Sequence, residues 1–495
     1  MENQQKPPEG RLRTRRVVLA SVAGGAVLGG VLVLLPWERP AEPAPPSPGA
    51  LAMAAVTDGV PAALPGLTEL IGEREKRLRT HPRDARSWAV LGAAYVEQGR
   101  RLADPAYYPR AEKALRTSLK VRPQRNTRAL AGLAALANAR RDFPAARRWG
   151  EAALTLEPRR WTTYSLLIDA YTGLGEHAAA ERTLDRLTEL RSGPAVLARA
   201  AAVYRVMGRR EDAAASLADA AAGARAPAER AAYLEQAGQL AWERGDLQDA
   251  LRHFQEAVRL DPDQGAAQAG QGRALAALGR TTEALNAYRV ALAQQPCPRY
   301  ALELGELYES LGMPDAARVQ YDLLRERVRV AAAGGADEQL VLGQFEADHG
   351  DPREAVRRLW AQWHRQPGTE VADALGWALH RAGRHEEALR FAVRAAEGDH
   401  GGGMRSAAEG DHGGGMRSAA EGDHGGGMRS AAYAYHRGII ERELERYGAA
   451  RRHLAEALRI NPHFSPLHAP AARAAVEALG EPPDEGVPVM DGEPG

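Results

Sequence analysis

At 495 residues the chain is too long to fold around one packed core, so several domains or a linear array are expected. Lys and Arg total 65 against 64 Asp and Glu, a net charge of +1. That balance lacks the basic footprint of a nucleic-acid binder and leads to the expectation of no nucleic-acid partner. A single cysteine, Cys297, excludes an intrachain disulfide framework; set between Pro296 and Pro298, it reads as a free thiol rather than a nucleophile.

Residues 1–16 are polar and basic, with Lys6, Arg11, Arg13, Arg15 and Arg16 against Glu2 and Glu9. Val17 to Leu35 then runs 19 residues without a charge. As a helix it would span about 29 Å, close to the hydrocarbon core of a bilayer. The positive flank favours a cytoplasmic N-terminus and places everything after Pro36 outside the cytoplasm. The 17–35 segment is therefore read as a single transmembrane helix or signal anchor. An exported, cleaved form is the rival reading, because Thr14-Arg15-Arg16-Val17-Val18-Leu19 resembles a twin-arginine signal. The nearest small-x-small site, Ala50-Leu51-Ala52, lies well past the apolar run and supports cleavage poorly. Residues 36–65, rich in proline and alanine, are expected to stay extended as a stalk.

From 66 to 394 paired amphipathic helices are expected. A helix from Gly66 through Leu78, stopped at Pro82, reads as an N-terminal cap, and the first full unit begins near Ala85. The period is clearest between 231 and 296, where Gly238, Gly245, Ala250, Phe254, Ala257 and Pro262 recur 34 residues later as Gly272, Gly279, Ala284, Tyr288, Ala291 and Pro296. A fixed period of this length marks a stack of supersecondary units. Gly245 and Gly279 let the chain turn between two helices, and the prolines end the second. The small residues allow helices to approach, and Phe254 and Tyr288 fill the wedge between pairs. Further units are placed by Ala146, Tyr164, Tyr204, Gly305, Gly343, Gly376 and, after a gap, Gly438.

Trp88, Leu91, Gly92 and Tyr95, with Ala111, Leu115 and Pro123 following an insertion around Leu102–Tyr108, complete a Trp-x2-Leu-Gly-x2-Tyr pattern. On these residues the chain resembles tetratricopeptide-repeat proteins over roughly 66–480. The resemblance implies an all-α, right-handed α-solenoid of about ten helix-turn-helix units whose concave groove binds peptides or proteins. Ala134 and Ile168 stand where that pattern usually has glycine, so their units are expected to stack differently.

Residues 395–430 carry another repeat, AAEGDHGGGMRS, three times without a difference. Gly438 follows Gly376 by 62 residues, while Gly343 follows Gly305 by 38; removing two twelve-residue copies restores 38. The Asp-His pairs within the copies suggest a metal site, but the triple glycines leave such ligands unorganised. The His-Gly-Gly-Gly runs resemble an oxyanion loop, yet no Gly-x-Ser-x-Gly elbow accompanies them. A flexible expansion loop is expected, with the last unit and a capping helix (431–479) still docked, because loop length costs little. The acidic, proline-rich 480–495 is expected to be disordered.

On the first helix of each unit, residues clear of the packed seam are expected to face the groove: Asp169, Glu235, Gln239, Trp242, Arg273, Glu306, Glu309, Trp377 and His380. No catalytic, metal or cofactor-binding set emerges; His385-Glu386 opens like a zinc-protease motif, but Leu389 occupies the place of its second histidine. The sequence thus reads as a non-enzymatic, membrane-anchored scaffold with a protein or peptide ligand in its groove, supporting a cell-envelope assembly. An accessory subunit of a partner enzyme is the alternative.

Overall fold

The computed structural model describes residues 46–397 and 430–480. The basic segment 1–16, the apolar run 17–35, the first part of the expected stalk, nearly all of the triplicated repeat and the 481–495 tail lie outside them. Among the described residues no helix is long and apolar enough to cross a membrane, and there are 23 helices and no strand.

The first two helices are α1 (Pro48–Asp58) and α2 (Leu64–Thr80). The expectation of an extended stalk is corrected here: 48–58 is helical and packed. A side chain on Gly66 would come within 2.6 Å of the Pro48 carbonyl, and Ala52 is 3% exposed, so small residues let α1 lie on α2. Ten hairpins follow. They are α3 (Ala85–Leu102) with α4 (Tyr107–Val121), α5 (Thr127–Ala139) with α6 (Phe143–Leu156), and α7 (Trp161–Gly173) with α8 (His177–Leu190). Next come α9 (Pro194–Val206) with α10 (Arg210–Gly223), α11 (Pro227–Glu243) with α12 (Leu247–Leu260), and α13 (Gly265–Ala277) with α14 (Thr281–Gln294). The last four pairs are α15 (Pro298–Ser310) and α16 (Pro314–Ala333), α17 (Gln339–His349) and α18 (Pro352–Arg365), α19 (Thr369–Arg381) and α20 (His385–Glu397), and α21 (Ala431–Glu443) and α22 (Tyr447–Ile460). A final helix, α23 (His468–Ala478), packs on α22.

The seam between the helices of a hairpin is as tight as the recurring glycines require. A Cβ on Gly238 would sit 2.7 Å from the Phe254 ring, one on Gly272 2.7 Å from Tyr288, and one on Gly305 closer still to Tyr321. Gly270, on the next hairpin, closes on Phe254 from the other side, where a Cβ would meet the ring at 2.4 and 2.5 Å. Phe254 is 1% exposed and has nowhere to turn. Gly270→Ala is therefore expected to cost about 1–3 kcal/mol by overpacking; an unchanged melting temperature would show that the ring has room. Where Ala134 and Ile168 replace glycine on the first helix, the second helix or the neighbouring hairpin adapts: Gly150 of α6 makes way for Leu167 of α7. The tenth hairpin docks on the ninth despite the repeat between them, with Ala372, Ala395 and Tyr433 in one core cluster.

Helical-repeat stacks ordinarily contact only their nearest neighbours. This chain also touches itself at long range with a regular spacing. Arg140 donates to the Gly334 carbonyl across 194 residues, Gln295 donates to the Arg101 carbonyl across 194, and His177 meets Thr369 across 192. Asn461 donates to the Trp242 carbonyl at 2.7 Å across 219 residues; 219 less the 24 of two extra repeat copies is 195. In each contact the turn inside one hairpin meets the connection that follows another hairpin, roughly six units of about 34 residues further on. Successive superhelical turns therefore rest on one another. Two turn glycines carry a double demand from this closure. Gly175 and Gly245 have φ of +73° and +81°, and a Cβ on either would also stand 2.9 Å from a carbonyl of the next turn, Pro367 or Ile460.

Candidate binding site

Where the turns touch, the surface expected to be an open groove lines two cavities. The larger, about 860 Å³, is lined mainly from α11 through α23, with Arg141 and Arg205 from earlier hairpins, and includes Glu235, Gln239, Trp242, Arg273, Glu306 and Trp377. A second, of about 310 Å³, adjoins it through Arg141, Arg205 and Glu370, which line both, and holds Asp169. The two remaining expected groove residues line neither. Glu309 accepts from the Tyr321 hydroxyl at 2.8 Å and faces His349 at 3.2 Å. His380 lies against His385, with ring nitrogens 3.0 Å apart.

Homologous positions of successive hairpins stand next to one another, so side chains of one period link into a ladder. Arg205 binds Glu243 through two bonds of 2.7 and 2.8 Å, and Gln239 donates to Glu243 at 2.9 Å. Arg273, which occupies the Gln239 position one unit later, donates to the Gln239 amide oxygen at 2.7 Å and to Glu303 at 3.1 Å. Tyr288 donates to the same Glu303 at 3.1 Å. Gln239 and Arg273 are thus engaged within the wall. Asp169 is likewise paired, with Arg199.

Farther along, Trp377 is buried and donates its indole N–H to Asp348 at 2.9 Å. His436 stacks on its ring at 4.4 Å and His380 at 5.0 Å, while His468 meets it edge-on at 5.6 Å. His436 lies 3.0 Å from Asp373, and His468 3.7 Å from Asp348. Burial pushes His380 and His468 down to about 4. Burial also lowers His436, but the Asp373 carboxylate outweighs it and the imidazole ends above its usual value.

Sequence reasoning missed Glu303, Asp348, Asp373, Tyr433, His436 and His468, all of which line the larger cavity. Glu303 carried a usable signal, one turn before Glu306 on its own helix. His468 carried none, since α23 reaches the cavity only through superhelical closure. Among the described residues, no group of three or more His, Cys, Asp or Glu is placed to hold a metal ion. Burial raises the Cys297 thiol, the wrong direction for a nucleophile.

A stack of helical hairpins lining a mixed polar and aromatic cavity is a tetratricopeptide-like solenoid, an architecture suited to protein–protein interaction. The tetratricopeptide-repeat family profile matches residues 199–264, 235–296 and 270–332. No curated protein sequence matches the chain. Similar solved structures include the human IFIT1 dimer with PPP-AAAA, at 19% identity over 63% of this chain and 72% of that one, with a TM-score of 0.44. Pseudomonas aeruginosa pilF is similar at 19% identity over 40% of this chain and 90% of that one, with a TM-score of 0.34. MamA shows 18% identity over 41% and 97%, with a TM-score of 0.21.

The expectation of no nucleic-acid partner is withdrawn. IFIT1 also stands among the similar structures with m7Gppp-AAAA. That expectation rested on whole-chain charge balance, which does not report on arginines gathered inside a cavity, as Arg141, Arg205, Arg273 and Arg299 are here.

Proposed function

We propose that this chain is a scaffold that takes up a segment of a partner protein in its larger cavity. In this reading residues 17–35 hold it at a membrane, the array lies outside the cytoplasm, and the complex serves a cell-envelope assembly. The observation that carries the proposal is the cavity of about 860 Å³, which offers Trp242 and Trp377 beside carboxylates and arginines on one concave surface. A volume of this size suits a few residues of extended peptide. Aromatic anchors with a few placed polar groups are what partner recognition uses. The array supplies no reaction of its own in this reading, only the site and its position at the membrane.

A photo-crosslinking amino acid at Gln239, inside the cavity, tests this against the same group at Arg252 on the exposed side of α12. The scaffold reading expects the chain in the membrane fraction and a discrete protein adduct from position 239 alone. Adducts to nucleic acid, or equal labelling from both positions, would overturn it.

A further inference from the structure

The lining of the larger cavity is unevenly neutralised. It carries seven carboxylates against five arginines. Arg205 is committed to Glu243 and Arg273 to Glu303, while Asp373 faces His436 and Asp348 accepts from Trp377. The other three arginines turn elsewhere, Arg141 to Glu338 at 3.9 Å, Arg299 to the Gln344 amide oxygen at 3.3 Å and Arg473 to the Pro462 carbonyl at 2.8 Å. Three carboxylates are left over. Among the described residues the side chains of Glu235 and Glu370 have neither hydrogen bond nor ion pair, and Glu306 has only His349 at 3.6 Å. Burial lifts Glu235 to about 6 and raises Glu306 above its usual value. At neutral pH Glu235 and Glu306 are charged in surroundings that disfavour charge, which an incoming cation would relieve.

A second feature is independent of the carboxylates. Trp242 and Tyr433 are 7% and 8% exposed and both line this cavity. Neither the Trp242 indole N–H nor the Tyr433 hydroxyl has a hydrogen-bond partner among the described residues, and neither atom is fully buried, although both side chains are largely so. Two such donors in side chains that line the cavity mark where an acceptor of a ligand would sit. Trp377, the other tryptophan of this wall, has its N–H committed to Asp348.

Resting on the reading of the chain as a peptide-binding scaffold, we infer that the segment bound in this cavity is basic: an extended peptide whose arginine or lysine side chains meet Glu235, Glu306 and Glu370, while its backbone carbonyls accept from Trp242 and Tyr433. Arginine suits the site best, because its planar fork pairs with carboxylates and stacks on indole. The mixed-sign wall fixes register, since a peptide carboxylate placed at Glu235 or Glu370 would be repelled.

The test uses the full chain, purified with mild detergent present, and fluorescence anisotropy of three labelled probes: Ala-Arg-Ala-Arg-Ala-Arg-Ala, its glutamate counterpart and a four-nucleotide oligoadenylate. The arginine peptide should bind tightest, and more weakly as salt rises. Glu235→Gln and Glu306→Gln should each weaken it about tenfold, the effect of one charge pair. The melting temperature of Glu235→Gln should not fall, because it removes an uncompensated charge. Trp242→Phe keeps the ring, loses the donor, and should weaken binding several-fold.

If the glutamate peptide binds as well as the arginine peptide and Trp242→Phe still weakens it, the basic-ligand inference falls while the scaffold reading stands. If only the oligonucleotide binds, both fall. Arginine-peptide binding that ignores both glutamine variants also overturns the inference.

Discussion

Asp261→Ala should destabilise the array by about 3–5 kcal/mol, far more than a connector aspartate ordinarily would, because it strands a buried cation. Asp261 follows α12, and its carboxylate lies 2.6 Å from the Arg101 guanidinium at the end of α3. The two are 7% and 3% exposed, in different superhelical turns. The contact is close but poorly aligned: Arg101 Nη2 and Asp261 Oδ2 form no well-angled hydrogen bond with any partner. Its value therefore lies in charge compensation rather than directional bonding. Removing the carboxylate leaves the guanidinium with no counter-charge and little water. Replacing both partners with apolar residues, Arg101→Met with Asp261→Leu, should recover most of the loss. Hydrogen exchange would locate the effect, since repeat stacks open locally. Faster exchange at the α3–α4 turn and the α12–α13 connection is expected in the single variant. A double variant as unstable as the single one would assign the cost to lost packing instead.

This contact marks the boundary of what the sequence could reveal. The hairpins were legible because Gly238, Gly272 and Gly305 meet Phe254, Tyr288 and Tyr321 in the same local geometry, and local geometry repeats in sequence. Arg101, Asp261 and Gln295 sit in turns and connections, where charged and amide residues look merely solvated. Their partners lie a full superhelical turn away, and no period within one unit encodes that distance. The same blindness applied to the site. Glu235, Trp242 and Trp377 could be placed on the inner face by counting along a helix, but the closing of that face into a cavity could not. Gln239 and Arg273 looked like free groove residues because their ladder runs between units. The helix at 48–58 was missed for another reason: its alanines and glycine carry no strong apolar period, and only packing on α2 makes them helical.

Acidification from pH 7 towards 4 should loosen the end of the array around Trp377 before the rest. Burial above all, with His385 beside it, holds His380 down at about 4. Burial likewise holds His468 at about 4, with Asp348 opposing and His436 reinforcing the shift. An unfolded histidine titrates near 6.5. Between those values the unfolded chain binds two protons that the folded chain does not, so stability falls as pH falls, by about 3 kcal/mol for each histidine. His436 and His349 act in the opposite sense. Burial lowers both, but Asp373 and Glu306 respectively raise them above 6.5, so their contribution is present in acid and lost as pH rises through the raised values. Stability of this end should therefore peak near neutrality. Carboxylates held low, such as Glu441 and Glu243, add their losses only at the acid end of the range. Glu235, held at about 6, titrates in the same range but on α11, so around Trp377 the interval from 6.5 to about 5 belongs to the histidines. His380→Phe with His468→Phe removes both proton sites while keeping ring bulk against Trp377, and should flatten that interval in urea titrations followed by hydrogen exchange of α19, α21 and α23. A variant that retains the full slope there would mean that neither imidazole is held neutral by the fold.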